Sequence, residues 1–306
     1  MIEAKGLTKK FGDFTAVNRI DLSVAEGEVL ALLGPNGAGK TTTVRMLGSI
    51  LRPTAGYARI AGLDTVTQAA EIRRIIGLLT EFPGLYTRMK GLEYLDFFGE
   101  LQGLPKSIRQ ERAEMLLRQF ELWDARHKRL GEYSKGMKQK LTLVRAMLHD
   151  PAVLFLDEPT SNMDPQSAKL VRDAILSLRQ EKRTIVICTH NLPEAELLAD
   201  RIAIIRQGEI IVEGSPAALK TRLLGPPMME LRLVETLNGQ LEGLDDLIEI
   251  TSRGEDWLRY VTPFPQRINP QLLQLMARQN VPVFTLNEVS RSLEEVYLKI
   301  VEGEAV

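Results

Sequence analysis

The stretch EVLALLGPNGAGKT, Glu28 to Thr41, decides the fold. Val29 to Leu33 is an uninterrupted apolar run, which predicts a strand buried on both faces, as in a parallel sheet. The run breaks at Gly34 into a glycine-rich turn, and a helical pattern starts near Lys40. Strand, glycine turn and helix form the context in which the spacing G-x-x-x-x-G-K-[ST] holds a nucleotide phosphate. Asn36, Gly37, Ala38 and Gly39 then supply successive backbone N–H groups around a β-phosphate. Lys40 places a cation between the β- and γ-phosphates, the Thr41 hydroxyl reaches Mg²⁺, and Thr42 reaches the α-phosphate.

Working outward, AVLFLDEP (152–159) and TIVICTH (184–190) repeat the continuous apolar pattern, so the core is α/β with a parallel sheet covered on both faces. ARIAGLDT (58–65) and RIAIIRQGEIIVEG (201–214) read as hairpins, the second turning at Gln207-Gly208. Between about 85 and 150 the pattern changes to three- and four-residue spacing in GLEYLDFFGELQGL, SIRQERAEMLLRQFEL and KGMKQKLTLVRAMLHD. This predicts a helical subdomain inserted into the α/β core. Gly225-Pro226-Pro227 marks a linker. The expected organisation is therefore a nucleotide-binding domain over 1–220 and an accessory domain over 221–306. In the latter, strand, helix, strand, strand, helix and strand follow in the order of a ferredoxin-like α+β fold, with a last helix capped at Ser292.

Composition limits the rest. The chain has 306 residues with 44% hydrophobic content, enough for a core in each domain. Its 39 Lys and Arg nearly balance 40 Asp and Glu, so no global field argues for a nucleic-acid partner. The single cysteine, Cys188, lies inside an apolar run and reads as a buried strand thiol. No segment approaches the roughly 18 uninterrupted apolar residues of a membrane span, and the N-terminus lacks the apolar stretch of a signal peptide, so any membrane role is expected to come through a partner.

Two carboxylates end the strand AVLFLDEP. Asp157 is placed to hold Mg²⁺, and Glu158 is placed to polarise a water toward the γ-phosphate as a general base. His190 ends the next strand, where strand termini of an open sheet face the ligand crevice, and can orient that water. A second anion-binding helix start is written in GEYSKGMKQKL (131–141), at Ser134, Lys135 and Gly136.

Together these residues resemble the ATP-binding subunit of an ATP-binding cassette (ABC) transporter, a P-loop NTPase of the ABC type. YSKGM keeps Ser134 and Gly136 at the places of that family's signature, with Lys135 for a glycine and Met137 for a glutamine. The resemblance covers residues 1 to about 220. It implies that Ser134 and Gly136 bind the γ-phosphate of ATP held by an opposite subunit, in a homodimer or a pseudo-dimer with a second cassette. By the same resemblance Phe11 stacks on adenine with Val17 nearby, and Asp164 crosses the dimer interface. Glu81 stands where the family has a metal-contacting glutamine. The implied protein is an ATP hydrolase using ATP and Mg²⁺, similar to bacterial multidrug and drug-resistance exporters. It would work at the cytoplasmic face of the cell membrane and energise a separate transmembrane permease, which docks between the helical subdomain and the loop around Glu81 to Tyr86. A soluble cassette of DNA repair or translation, or a nucleotide-dependent regulatory clamp, is the competing reading.

Overall fold

A computed structural model of the chain describes residues 1–80, 84–161, 163–236, 243–289 and 291–302. It divides into two compact units, Met1–Pro216 and Ala217–Val306. The first unit opens with two long strands, β1 (Ile2–Phe11) and β2 (Phe14–Val24). After them come β3 (Val29–Leu33), α1 (Lys40–Leu47), β4 (Ala55–Ile60), β5 (Leu63–Asp64), α2 (Ala69–Ile75) and β6 (Ile76–Leu79). The helical region holds α3 (Gly91–Leu101), α4 (Lys106–Gln119) and α5 (Lys135–Met147). Then follow β7 (Val153–Asp157), α6 (Pro165–Gln180), β8 (Thr184–Thr189), α7 (Leu192–Leu198), β9 (Arg201–Arg206) and β10 (Glu209–Gly214).

The strands form two sheets. One is four-stranded, in the order β2-β1-β4-β5, and antiparallel throughout. The other is six-stranded, in the order β10-β9-β3-β8-β7-β6, parallel except for the β9–β10 hairpin at its edge. That hairpin turns where expected, with Gln207 and Gly208 both at positive φ.

Strict side-chain alternation explains why the inner parallel strands carry apolar residues on both faces. Val153 and Phe155 of β7, with Val186 and Cys188 of β8, join the core shared with β1, β2, β4 and α1. Leu154 and Leu156, with Ile185 and Ile187, join the core built by α3 to α6. Each such side chain contributes roughly 1.5–3 kcal/mol of burial, so the sheet cannot leave either layer. The second core holds the helical subdomain against the sheet and fixes where α5 begins.

The second unit starts with α8 (Pro216–Leu224), at the division, and continues with β11 (Met228–Leu233), α9 (Leu244–Leu247), β12 (Glu249–Arg253) and β13 (Trp257–Val261). It ends with α10 (Pro265–Arg278), β14 (Val283–Glu288) and α11 (Leu293–Glu302). Its sheet runs β12-β13-β11-β14, every pair antiparallel, which is the ferredoxin-like arrangement. Ser292 and Glu295 form a reciprocal capping box at the start of α11. The run NPQLLQLMARQN (269–280) predicts a helix by its spacing, and α10 starts before it. The dipeptide Asn269-Pro270 reads as a helix start, yet the helix begins at Pro265 and carries Pro270 inside it. Packing outweighs the local signal, because Ile268 sits against the unit's core and Asn269 accepts a hydrogen bond from Tyr260 Oη at 2.6 Å.

Candidate functional site

The strand ends of the parallel sheet open onto a cavity of about 580 Å³. Asn36 to Thr42 line it, together with Phe11, Phe14, Ala16, Asp157, Glu158, Ser161 and His190. The glycine-rich turn takes its shape from Gly39, whose φ of 107° is open to glycine alone, and a Cβ there would lie 2.6 Å from the Ala16 carbonyl oxygen. No side chain caps α1, so its first N–H groups are not taken up by a capping residue. Lys40 Nζ donates to the carbonyl oxygens of Gly34 at 2.7 Å and Pro35 at 3.1 Å, which keeps a buried ammonium solvated by its own loop.

The Thr41 hydroxyl donates to Asp157 Oδ2 at 2.8 Å, joining the start of α1 to the end of β7. Both groups offer oxygen to a hard cation. No cluster of three or more acidic, His or Cys residues capable of holding a metal occurs among the described residues. A hydroxyl and one carboxylate suit a Mg²⁺ that takes most of its shell from water and substrate phosphates. Glu81, the third expected metal contact, lies outside the described residues.

Glu158 is set by backbone as well as side chain. Its φ is 50°, in the left-handed region, and its N–H donates to the Cys188 carbonyl at 2.8 Å. Gln139 Nε2 of α5 donates to the Glu158 carbonyl oxygen at 3.2 Å. The carboxylate is nearly buried and meets His190 Nδ1 at 2.8 Å, while the His190 ring is 59% exposed. A buried carboxylate bonded to an open imidazole at a cavity wall can polarise a water and orient it.

Phe11 is half exposed at the cavity edge, with Lys9 Nζ 5.1 Å from its ring centroid. Val17 is placed differently from Phe11: it is fully buried, packs under Gly39 and is not among the cavity-lining residues, whereas Phe14 and Ala16 are. Ser134, Gly136 and Asp164 also lie outside the cavity lining. Ser134 caps α5 by accepting from the Met137 N–H at 3.2 Å, and Asp164 caps α6 by accepting from the Ser167 N–H at 2.9 Å. That bond and the Ser167 hydroxyl hold the Asp164 carboxyl below its ordinary value. The two helix starts are neighbours, since a Cβ on Gly136 would lie 4.0 Å from Asp164 Oδ2. Cys188 is fully buried, and burial pushes its thiol well above the ordinary value, as fits a core residue.

Behind Glu158 lies a network that the sequence pattern did not announce. Thr189 Oγ1 is 3.5 Å from Glu158 Oε2 and 3.1 Å from Glu194 Oε2, and the Thr160 hydroxyl donates to Glu194 Oε1 at 2.6 Å. Its nearest signal was the N-cap residue Asn191, which fixes the first turn of α7 by accepting from the Glu194 N–H.

Residues 17–161 match the family model described as ABC transporter. A daunorubicin resistance ATP-binding protein of Streptomyces coeruleorubidus is 37% identical over 298 residues, covering 97% of this chain and 92% of the relative. A Nod factor export ATP-binding protein I of Burkholderia lata is 34% identical over 305 residues, covering 99% and 97%. Among solved structures, an ATP-binding cassette in a dimeric post-hydrolysis state bound to ADP and Pi superposes with a TM-score of 0.66 at 25% identity. It covers 70% of this chain and 98% of that one.

Proposed function

The chain belongs to the ABC transporter family as an ATP-binding, ATP-hydrolysing subunit, and from that premise we propose that it powers export through a separate membrane-spanning permease chain. Relatives named for drug resistance and for Nod factor export support the direction of transport. No helix among the described residues is long and apolar enough to cross a membrane, in keeping with a permease on another chain. The docking surface we assign to the permease is the aromatic cluster of the helical subdomain. There Tyr86 stacks near Phe98 and meets the edge of Phe97, and both Tyr86 and Phe97 are exposed. In the cell this puts the subunit at the cytoplasmic face of the membrane.

In the proposed division of labour, Asn36 to Thr42 cradle the phosphates, Lys40 turns from its own carbonyls to the substrate, and Phe11 supports the base. Thr41 and Asp157 would hold Mg²⁺, whose charge offsets that of the phosphates. Glu158 accepts a proton from the attacking water, and His190 orients it. Ser134 and Gly136, with Asp164 beside them, serve the nucleotide of a second cassette. Their position outside the lining of the chain's own cavity supports this.

The observation that carries this reading is the convergence of two bonded pairs on one cavity, Thr41 with Asp157 and Glu158 with His190, each at 2.8 Å. Glu158→Gln tests it. The variant should bind ATP as the parent does and lose about 10²–10⁴-fold in kcat, the range for a general base. Substantial steady-state phosphate release by the variant would transfer the role to another group.

A further inference from the structure

Glu194, in the first turn of α7, is 3% exposed, and hydrolysis by Glu158 and His190 gives its carboxylate no task. Its two oxygens accept from two hydroxyls, Thr160 Oγ1 at 2.6 Å and Thr189 Oγ1 at 3.1 Å. Thr189 has a choice of acceptors, because Glu158 Oε2 lies 3.5 Å from the same hydroxyl. A hydroxyl carries one proton. The Asn191 N–H donates to Thr189 Oγ1 at 3.0 Å, which orients the hydroxyl without supplying a second proton to share. The shorter contact directs that proton to Glu194.

The direction matters for Glu158, because a full bond from Thr189 would take one of the acceptor positions of a carboxylate that also meets His190 and lines the cavity where the water is held. We propose that Glu194 is a positioning residue for hydrolysis: it keeps the Thr189 proton off Glu158 and, through Thr160, ties down the loop that follows Glu158. Burial is the main reason the Glu194 carboxyl lies above its ordinary value, and the neighbouring Glu158 charge adds to the rise; the Thr160 and Thr189 hydroxyls and Arg172 oppose it. The inference rests on the assignment of Glu158 as the base.

The test is a cycle of Glu194→Gln and Thr189→Val, with kcat and nucleotide affinity measured for all four proteins. Glutamine is close in shape, but it is neutral and its amide can donate to Thr189 Oγ1, which turns the hydroxyl proton toward Glu158. Glu194→Gln should therefore leave ATP affinity unchanged and lower kcat by about ten-fold or more. With Thr189→Val as the reference there is no proton to redirect, and adding Glu194→Gln should change kcat by less than about two-fold. An equal loss in both backgrounds, or no loss in the parent, overturns the proposal. Should Glu194→Gln not yield folded protein, Glu194→Asp, whose carboxylate ends one methylene short of Thr189, enters the same cycle with the same expectation. Glu158→Gln is assayed alongside. Retained turnover there would remove the premise, whereas abolished turnover together with an uncoupled cycle would sink the Glu194 inference alone.

Discussion

His149, at the end of the helical subdomain, is a residue whose surroundings set a pH dependence. Its Nε2 meets the Ile76 carbonyl oxygen at 2.8 Å, so this nitrogen carries the hydrogen of a neutral ring, and Nδ1 is buried with no partner among the described residues. Burial is the main reason its pKa falls below the ordinary value of 6.5; Arg112 adds to the fall, while the Ile76 bond and Asp150 oppose it. The unfolded chain then takes up a proton near pH 6.5 that the folded chain refuses. Stability from this residue is complete above that pH and is lost as pH falls through the folded pKa, with a slope of at most about 1.4 kcal/mol per pH unit for one proton. His149→Gln, whose amide can still donate to Ile76, should flatten the fall in thermal midpoint between pH 7.5 and 5.5. Parallel curves for variant and parent would rule His149 out as the source. Residues of this kind are invisible in the sequence, because their partners lie far along the chain. Asp157, Glu158 and His190 were legible because strand-terminal position is written locally. Gln139, Thr189 and Glu194 were not, since each acquires meaning only where α5, β8 and α7 meet β7.

At the scale of elements, legibility follows how much of a segment's environment is local. Strands β3, β7 and β8 are apolar on both faces and read directly. In β1 the alternation Ile2, Ala4, Leu7 is displaced by a register shift between Ala4 and Leu7, which blurs the period-two signal. Strand β6 follows α2 without a glycine or proline between Ile75 and Ile76, so no punctuation marks it. Helix α10 was legible as a helix but not in its extent, and Pro270 gives that error an energetic consequence. An interior proline removes the hydrogen bond that residue 270 would donate to Gln266 and presses its ring on that turn. Pro270→Ala should raise the thermal midpoint of the second unit's unfolding, with a gain of up to about 3 kcal/mol less the entropy that proline removes from the unfolded chain. A lower midpoint would mean that the helix depends on the proline, for example by being held bent over its core.

At the scale of the whole molecule, the proposal is that an active unit needs two chains, because the helix start of α5 serves a nucleotide held elsewhere. A single substitution cannot separate that arrangement from one in which Ser134 supports its own site. Ser134→Ala removes an N-cap worth roughly 1 kcal/mol and would weaken α5 in either case. Mixing experiments do separate them. A chain carrying Lys40→Ala has a damaged phosphate loop and an intact α5 start; a chain carrying Ser134→Arg has the reverse. If sites are shared head to tail, the mixed dimer gathers both lesions into one site and leaves the other intact. Each variant alone should be inactive, Ser134→Arg should still bind ATP as a monomer, and phosphate release should reappear on mixing to about a quarter of the parent rate. That figure follows from half of the dimers being mixed and half of their sites intact, provided each site fires independently. Loss of ATP binding by the Ser134→Arg monomer, with no activity regained on mixing, would place the α5 helix start at its own chain's nucleotide.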